Sequence, residues 1–436
     1  MEVTQLQKLQ KKLSQNYKEI LMGQTIIEKI FSEKLGRVSK AGEYVFADID
    51  KCLSTDISLP SVLESFSKIK NKTILNKEKI IIIEDHLVPS KDIASANILN
   101  KVKNFVSKEN IPNYYGFGTG GICHVVMPEE GMVKPGEIII GTDSHTCSYG
   151  ALGCFSTGVG STDMAYAWST GNLWFNIPES IRINLKGDLQ KNVSGKDIIL
   201  KVIGILGEQG AIYKALEFGG DSISQLSIDD RLTMCNMGIE CGAKTALFPV
   251  DDLTIEYLTE LSIHVDQKLY PDLDANYSKI IDVDLNTLKP QVSFPHSPSN
   301  VKEANELNDV KVDQIVIGSC TNGRFNDFKT VHEILKGKRI NNDVKVLLIP
   351  GSQKVLKEII NQNLINDLID AGCTISSPTC GPCIGLHTGI LGENNVGLYT
   401  TNRNFRGRNG AKSSEVYLCS PATAAASAIT GYITES

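Results

Sequence analysis

The chain has 436 residues, of which 41% are hydrophobic and 22% are charged, and it contains 37 glycines. This length exceeds one ordinary hydrophobic core, so the composition predicts two or three α/β domains. The formal net charge of −6 argues against nucleic acid as the default partner. Eleven cysteines without regular spacing are untypical of a secreted disulfide framework and favour a reducing, cytoplasmic location.

The first 22 residues place apolar side chains at helical spacing, with lysines between them. A transit peptide is rich in arginine and poor in acids, whereas the first arginine here is Arg37 and both Glu2 and Glu19 are present. We therefore expect residues 1–22 to form a helical extension that packs on the body of the protein or on a partner. No apolar run reaches the ~20 residues needed to cross a bilayer.

Strand-like and helix-like runs alternate along the rest of the chain, and several strand-like runs end in polar clusters. The predicted strands are 41–47, 79–83, 122–127, 137–140, 313–317 and 345–349, and a second unit is predicted to begin near 180–185. The predicted helices are 93–107, one that opens at Ser161, 196–207, 328–335 and 354–361. These elements predict three α/β domains, over 23–178, 179–300 and 301–436, with the proline-containing stretch 293–300 as a linker.

Three cysteines form the most informative pattern of the sequence. Cys380 and Cys383 lie in a tight loop of glycines and prolines, and Cys320 lies in a second glycine-rich loop after an apolar run. Thiolates suit iron–sulfur clusters or zinc, and a closed zinc site or an electron-transfer cluster takes four protein ligands. One CxxC motif with one remote cysteine leaves a coordination position open. The pattern therefore predicts a catalytic cluster that binds substrate.

Three of the seven histidines lie within or directly after strand-like runs, with acidic residues nearby. His86 follows Asp85, His145 lies near Asp143, and His124 lies between them in the chain. A carboxylate that is hydrogen-bonded to an imidazole fixes its tautomer and raises its basicity. A lone histidine of this kind is more often structural, but three of them beside a thiolate triad favour a catalytic site.

An arginine cluster near the C-terminus indicates the substrate class. Arg403 and Arg408 can bind carboxylates through two hydrogen bonds each, which predicts a small polycarboxylate. Asn402 either orients a cluster sulfide or a substrate oxygen, or is a turn residue, and both readings stay open.

The stretch 116–121 fits GxGxxG by letter. It is predicted to follow no strand and to precede one, whereas a dinucleotide site needs a strand, a turn and then a helix. We therefore do not expect a nucleotide there.

Six motifs together carry a family resemblance. The chain resembles the aconitase superfamily, in particular its free-standing large subunits of the isopropylmalate isomerase and homoaconitase type. The resemblance runs from about residue 23 to the C-terminus in family order and spacing. The motifs are 141–146, 158–163, 235–240, 317–324, 380–383 and 402–408.

The resemblance implies a [4Fe-4S] cluster held by Cys320, Cys380 and Cys383, with a fourth, open iron that acts on the substrate hydroxyl and carboxylate as a Lewis acid. It also implies three histidine–carboxylate pairs, of which the first protonates the leaving hydroxyl: His86 with Asp85, His124 with Asp143, and His145 with Glu240. Further contacts to substrate and cluster are implied for Ser144, Asn236, Asn402, Arg403 and Arg408.

The implied fold has three α/β domains around the cluster and lacks the mobile swivel domain of single-chain aconitases. We therefore expect a separate small subunit that completes the site, and no activity from this polypeptide alone. The expected reaction is dehydration and isomerisation of a 2- or 3-hydroxy di- or tricarboxylic acid. Isopropylmalate is the first candidate, and homocitrate and 2,3-dimethylmalate stay open because a small-subunit loop largely sets substrate choice.

Two other classes of function stay open. The stretch 53–60 is looser than the family's acid-x-Thr-Ser-Pro pattern, which supports a non-catalytic role, whereas the unusual Asn409 after Arg408 carries little weight. A non-catalytic paralogue is one alternative, which the intact cysteine, histidine and arginine sets oppose. A cluster-dependent RNA-binding regulator is the other, and the acidic net charge counts against it.

Overall fold

The computed structural model describes residues 23–70 and 72–436, so the helix predicted for 1–22 lies outside the described residues. Four β-sheets organise the described chain. The helices are α1 (Ile26–Leu35), α2 (Leu59–Ser67), α3 (Ile93–Glu109), α4 (Cys123–Glu129), α5 (Ser161–Thr170), α6 (Gly195–Leu206), α7 (Ile228–Met237), α8 (Asp252–Glu260), α9 (Ser319–Asn322), α10 (Phe325–Leu335), α11 (Gln353–Asn361), α12 (Leu364–Ala371) and α13 (Pro421–Thr430).

The strands alternate with these helices over most of the chain. They are β1 (Tyr44–Asp48), β2 (Lys51–Thr55), β3 (Ile80–Ile83), β4 (Asn113–Tyr115), β5 (Ile138–Gly141), β6 (Phe155–Gly158), β7 (Asn172–Asn176), β8 (Ser180–Lys186), β9 (Ala215–Gly219), β10 (Thr245–Leu247), β11 (Lys279–Asp284), β12 (Gln291–Ser293), β13 (Val301–Glu303), β14 (Gln314–Gly318), β15 (Lys345–Ile349), β16 (Thr374–Ile375), β17 (Val396–Tyr399) and β18 (Glu415–Leu418).

The first large sheet has the order β4-β3-β2-β5-β6, and all of its strand pairs are parallel. β3 consists of four buried isoleucines, as expected for a parallel strand covered on both faces. Ile80 and Ile82 pack into one hydrophobic cluster, and Ile81 and Ile83 pack into another. The strands predicted at 79–83 and 137–140 are confirmed as β3 and β5.

A two-stranded antiparallel ribbon of β1 and β7 accompanies this sheet. The strand predicted at 41–47 exists as β1, and it is buried on one face only. Val45 and Ala47 are buried, whereas Tyr44 and Phe46 on the other face are exposed. β1 has β7 as its one neighbour and covers the core with one face only, so its side chains alternate between core and solvent.

The second large sheet has the order β10-β9-β8-β11 and is also parallel. The run 180–185 forms β8, and the helix predicted at 196–207 is confirmed as α6. Side chains of this region share one hydrophobic cluster with one face of β3, for example Phe218 with Ile81. The first and second sheets are therefore packed on a common core.

The third large sheet has the order β13-β12-β18-β17-β14-β15-β16. Strands β14 to β18 pair in parallel, and β12 and β13 are antiparallel additions at one edge. The linker predicted at 293–300 was wrong, because it connects β12 to β13 within this sheet. Pro295 and Pro298 lie in that connection. The domain boundaries predicted after 178 and 300 stay predictions.

The run 122–127, which we expected to be a strand, is the buried helix α4. A short, wholly apolar run has no period that separates a buried strand from a buried helix. We expected the stretch 116–121 to follow no strand and to precede one. This was also wrong, because the stretch follows β4 and precedes α4. A Cβ atom on Gly121 would lie 2.4 Å from the Gly351 carbonyl oxygen, so this glycine allows close backbone packing against the chain before α11.

Within the described residues, no helix has the length and apolarity that crossing a membrane requires.

We predict that Phe31→Ala lowers the free energy of unfolding by about 3–5 kcal/mol, measured by urea unfolding. Phe31 is fully buried, and its ring meets those of Phe155 and Phe175 edge-on at centroid distances of 5.0 and 5.7 Å. Phe117→Ala is the control, because that ring is 66% exposed. Equal effects of the two substitutions would contradict this description of the core.

Candidate active site

The three predicted cysteines converge on one cavity. Cys320 lies on α9, directly after β14, and Cys383 lies in the short 3-10 helix Gly381–Ile384 that follows Cys380. All three thiols are buried and line the same cavity. Gly381, between two of them, has a φ of 59°, and a Cβ there would lie 2.4 Å from the side chain of Ile349. Glycine is therefore needed for the tight loop.

The Asn402 side chain joins two of these thiols. Its Nδ2 donates to Cys320 Sγ at 3.2 Å, and its Oδ1 lies 3.3 Å from Cys383 Sγ. Asn402 is fully buried, and its Nδ2 also reaches Asn236 Oδ1 at 3.3 Å. These contacts favour the reading in which Asn402 orients the thiol site over the turn reading.

The surroundings of Cys383 favour the thiolate form of its side chain. The hydrogen bond from Cys380 lowers the pKa of Cys383 well below its usual range; burial opposes this, whereas the charge of Arg408 assists it. The same hydrogen bond and burial raise the pKa of Cys380, which keeps its proton. Burial also raises the pKa of Cys320 to about 12. The cavity therefore stabilises one thiolate even before any metal is added.

Asp85 and His86 lie just beyond the carboxyl end of β3. His86 Nδ1 lies 2.5 Å from Asp85 Oδ1, and the second carboxylate oxygen of Asp85 accepts the Cys123 N–H at 3.0 Å, at the start of α4. The Asp85 carbonyl oxygen accepts the Cys380 N–H at 2.8 Å. This aspartate therefore connects the first sheet, α4 and the thiol loop. Burial opposes protonation of His86, but Asp85 and Asp56 raise its pKa well above the usual range.

The other two histidines form a continuous chain with three charged groups. His124 Nε2 lies 2.8 Å from Asp143 Oδ1, and His145 Nε2 lies 2.8 Å from Glu240 Oε1. The Asp143 carboxylate also accepts the His145 N–H at 2.8 Å. Arg403 Nε donates to both oxygens of Glu240, at 2.8 and 2.9 Å.

This chain is charged despite its burial. Burial raises the pKa of a carboxyl group, yet His124 and His145 bring that of Asp143 well below its usual range. His145 and Arg403 likewise lower the pKa of Glu240. Burial and Arg403 oppose protonation of His145, but Asp143 and Glu240 raise its pKa overall. The site therefore stabilises the Asp143 and Glu240 carboxylates beside a protonated His145, an arrangement suited to proton transfer.

All but two of the predicted site residues line one cavity with an empty volume of about 360 Å³. The exceptions lie behind it, where Asn236 bonds Asn402 and Glu240 bonds His145. The predicted site residues that line the cavity are Asp85, His86, His124, Asp143, Ser144, His145, Cys320, Cys380, Cys383, Asn402, Arg403 and Arg408.

Several neighbours were missed at the level of sequence. Asp56 accepts the backbone N–H groups of His86 and Leu87, at 2.8 Å in the latter case, and so fixes the loop after β3. It belongs to the stretch 53–60, which is looser than the family pattern, so no motif pointed to this residue. Cys123 adds a fourth thiol to the cavity wall, and the run 122–127 gave no sign of it because we took it for a strand.

The donor set fits an iron–sulfur cluster. Three buried thiols share one cavity, which matches the soft ligands that iron–sulfur clusters require. The Arg408 Nε is buried and has no hydrogen-bond partner among the described residues, so the cavity wall offers an unused cationic donor. An anionic group in the cavity would satisfy it.

Comparison with known proteins agrees with this geometry. The family model described as Aconitase family (aconitate hydratase) matches residues 28–308 and 299–431. The chain belongs to the aconitase family. It is a hydro-lyase by class, and the [4Fe-4S] cluster is the cofactor that the family implies. The predicted family and the predicted reaction class, a hydro-lyase, are confirmed.

Two relatives match over nearly the whole chain. A protein of Thermoanaerobacter sp. (strain X514) named 3-isopropylmalate dehydratase large subunit is 50% identical over 412 residues, which cover 94% of this chain and 98% of the relative. A protein of the same name from Clostridium botulinum (strain Alaska E43 / Type E3) is 49% identical over 418 residues, covering 95% and 99%.

A solved structure supports the fold. The crystal structure of Thermococcus kodakaraensis aconitase X in its holo-form matches with a TM-score of 0.50 at 13% identity, over 89% of this chain and 93% of that chain. The predicted aconitase-like α/β fold is confirmed.

We predict that Asp85→Asn lowers the pKa of His86, because the carboxylate that stabilises the imidazolium is removed. The measurement is an NMR pH titration of ¹³C-labelled histidines in the cluster-free chain, with His86→Gln to assign the resonance. Asp367→Asn is the matched control, because Asp367 pairs with His332 instead, at 2.7 Å. A His86 titration unchanged by Asp85→Asn would contradict the assigned pairing.

Proposed function

We propose that the chain is the large, cluster-binding subunit of a 3-isopropylmalate dehydratase, which isomerises a branched hydroxy dicarboxylic acid and serves leucine biosynthesis. The observation that carries this proposal is one cavity with three buried thiols, three histidine–carboxylate pairs and two arginines. The names of relatives about 50% identical over nearly the whole chain support the same substrate. The cytoplasmic location stays a prediction.

We propose Cys320, Cys380 and Cys383 as the ligands of the [4Fe-4S] cluster. Three thiolates leave one iron without a protein ligand, and when bound the cluster supplies a Lewis acid for loss of the substrate hydroxyl. The Asn402 side chain contacts Cys320 and Cys383 and orients them.

The histidines serve proton transfer in this proposal. His86 is held through Nδ1 by Asp85, which directs Nε2 toward the side of Asp143, 4.0 Å from its Oδ2. Its raised pKa keeps a proton available for the leaving hydroxyl group at neutral pH. His124 and His145 are held by Asp143 and Glu240, and they surround the position where substrate oxygens bind.

The arginines and Ser144 hold the substrate. Arg403 uses its Nε for Glu240, so its terminal nitrogens remain for a carboxylate of the substrate. The unpartnered Nε of Arg408 supports a second carboxylate contact from the same wall of the cavity. Two cationic contacts suit a dicarboxylic acid.

We further propose a separate small subunit that completes the active site. The relatives that support the substrate are themselves named large subunits. Among the described residues of the cavity wall, the one serine is Ser144 at the start of a 3-10 helix, so we expect the serine base that single-chain aconitases carry in their swivel domain to come from the small subunit.

The direct test is an anaerobic assay. The chain is reconstituted with iron and sulfide and mixed with the small subunit, and absorbance of the unsaturated product is followed with isopropylmalate, homocitrate and 2,3-dimethylmalate in parallel. We expect turnover of isopropylmalate only in the presence of both subunits. Turnover of another acid instead would replace the proposed substrate, and no turnover with a full cluster would contradict the proposed activity.

We predict that Cys383→Ser abolishes the visible absorbance of the cluster and the activity, while the chain stays folded. A serine hydroxyl is a poor replacement for a soft thiolate ligand. Cys373→Ser is the control, because Cys373 is buried but does not line the cavity. Wild-type iron content and turnover in the Cys383 variant would refute its role as a ligand.

We predict that Arg403→Lys raises KM about 10-fold or more with the cluster intact. Lysine keeps the charge but cannot bond Glu240 and a substrate carboxylate at the same time, and a lost charge-assisted hydrogen bond costs about 1.5–3 kcal/mol. Steady-state kinetics measure the effect, and Arg406→Lys, at an exposed position outside the cavity wall, is the control. Equal KM values for the two variants would contradict the assignment.

A further inference from the structure

Lys196 is a fully buried lysine outside the site described above. It is the second residue of α6, which belongs to the second sheet's region, and its side chain crosses into the third. Its Nζ donates to the carbonyl oxygens of Thr400 at 2.7 Å and Thr401 at 2.6 Å, and lies 3.5 Å from Asn322 Oδ1. A buried ammonium group needs partners of this kind, since its desolvation is costly.

All three acceptors belong to the two segments that carry the thiol site. Thr400 and Thr401 directly precede Asn402, whose amide bonds Cys320 and Cys383. Asn322 follows Cys320 on α9.

The two segments are also bonded to each other, because Thr321 Oγ1 donates to the Thr400 carbonyl oxygen at 2.6 Å. The Thr400 hydroxyl accepts the Gly318 N–H at 2.9 Å. The Lys196 ammonium therefore completes the junction between the Cys320 segment and the Asn402 segment.

The direct partners of the Lys196 ammonium group are neutral oxygens. Among the residues that the structure describes, no Asp or Glu oxygen forms an ion pair with its Nζ, although Asp327 and Asp197 lie near enough to favour its charge. Burial lowers the pKa of Lys196 to about 8, so the ammonium form still predominates at neutral pH. A cluster with three thiolates would add negative charge to this region.

We propose that Lys196 is the positioning residue of the cluster site: it fixes the Asn402 and Cys320 segments and offsets the negative charge of the thiolates. The inference rests on the proposed cluster. It adds a role for a side chain that touches neither a cluster ligand nor the substrate. Removal of the ammonium group loosens the Asn402 bridge and removes a nearby positive charge.

The test compares wild type, Lys196→Met and Lys196→Gln after anaerobic reconstitution with iron and sulfide. The first readout is the rate at which cluster absorbance bleaches in the presence of an iron chelator. The second is the reduction potential of the cluster. Near-ultraviolet circular dichroism of the cluster-free chains shows whether each variant is folded.

We expect Lys196→Met to lose the cluster about 10-fold faster or more, as is typical when a residue that supports metal ligands is removed. Both variants shift the reduction potential to more negative values, because a positive charge that favours the added electron is gone. Lys244→Met is the matched control, since Lys244 is a half-buried lysine near Tyr213 that contacts the Gly158 carbonyl oxygen instead.

Wild-type lifetime and potential in a folded Lys196 variant would overturn the inference. If Lys196→Met does not fold, Lys196→Gln, which keeps N–H donors, decides the question by the same two readouts. A wild-type chain that takes up no cluster would contradict the proposed function itself, so the two failures are distinguishable.

Discussion

The connections of Asp85 determine how the site is assembled. Its carboxylate holds His86 and accepts the first N–H of α4, and its carbonyl oxygen holds the Cys380 N–H. One residue at the end of a buried strand therefore fixes an acid, a helix and a thiol loop that come from distant parts of the chain. The loss of any of these bonds would leave a buried polar group unpaired, which is costly in an interior of low dielectric constant.

Further buried polar bonds join the three regions around the cavity. Arg324 donates to the His124 carbonyl oxygen at 3.2 Å and so ties the third sheet's region to α4. Thr233 on α7 donates to the Thr321 carbonyl oxygen at 2.6 Å, next to Cys320. A polar atom buried at such a junction costs free energy when it loses its partner, so these bonds favour one arrangement of the regions. The cavity depends on that arrangement more than on any single region.

Most of the large elements and the site could be predicted from the sequence. β3 was predictable because four isoleucines end at a polar cluster, and the thiol set because CxxC and Cys320 lie in glycine-rich loops. Helix α4 was not, because an apolar run of its length fits a strand equally well. Lys196 and Asp56 escaped notice because their importance lies in contacts with residues far away in sequence, which no local pattern records.

The central claim is that three thiolates hold a four-iron cluster and leave one iron without a protein ligand. The most direct measurement is to reconstitute the chain anaerobically, oxidise it mildly, and follow iron content together with the electron paramagnetic resonance spectrum. We expect one iron to be lost from each cluster as the signal of a three-iron cluster grows, and iron addition to reverse both. A cluster that loses no iron under these conditions, or that disintegrates without a three-iron form, would contradict the claim.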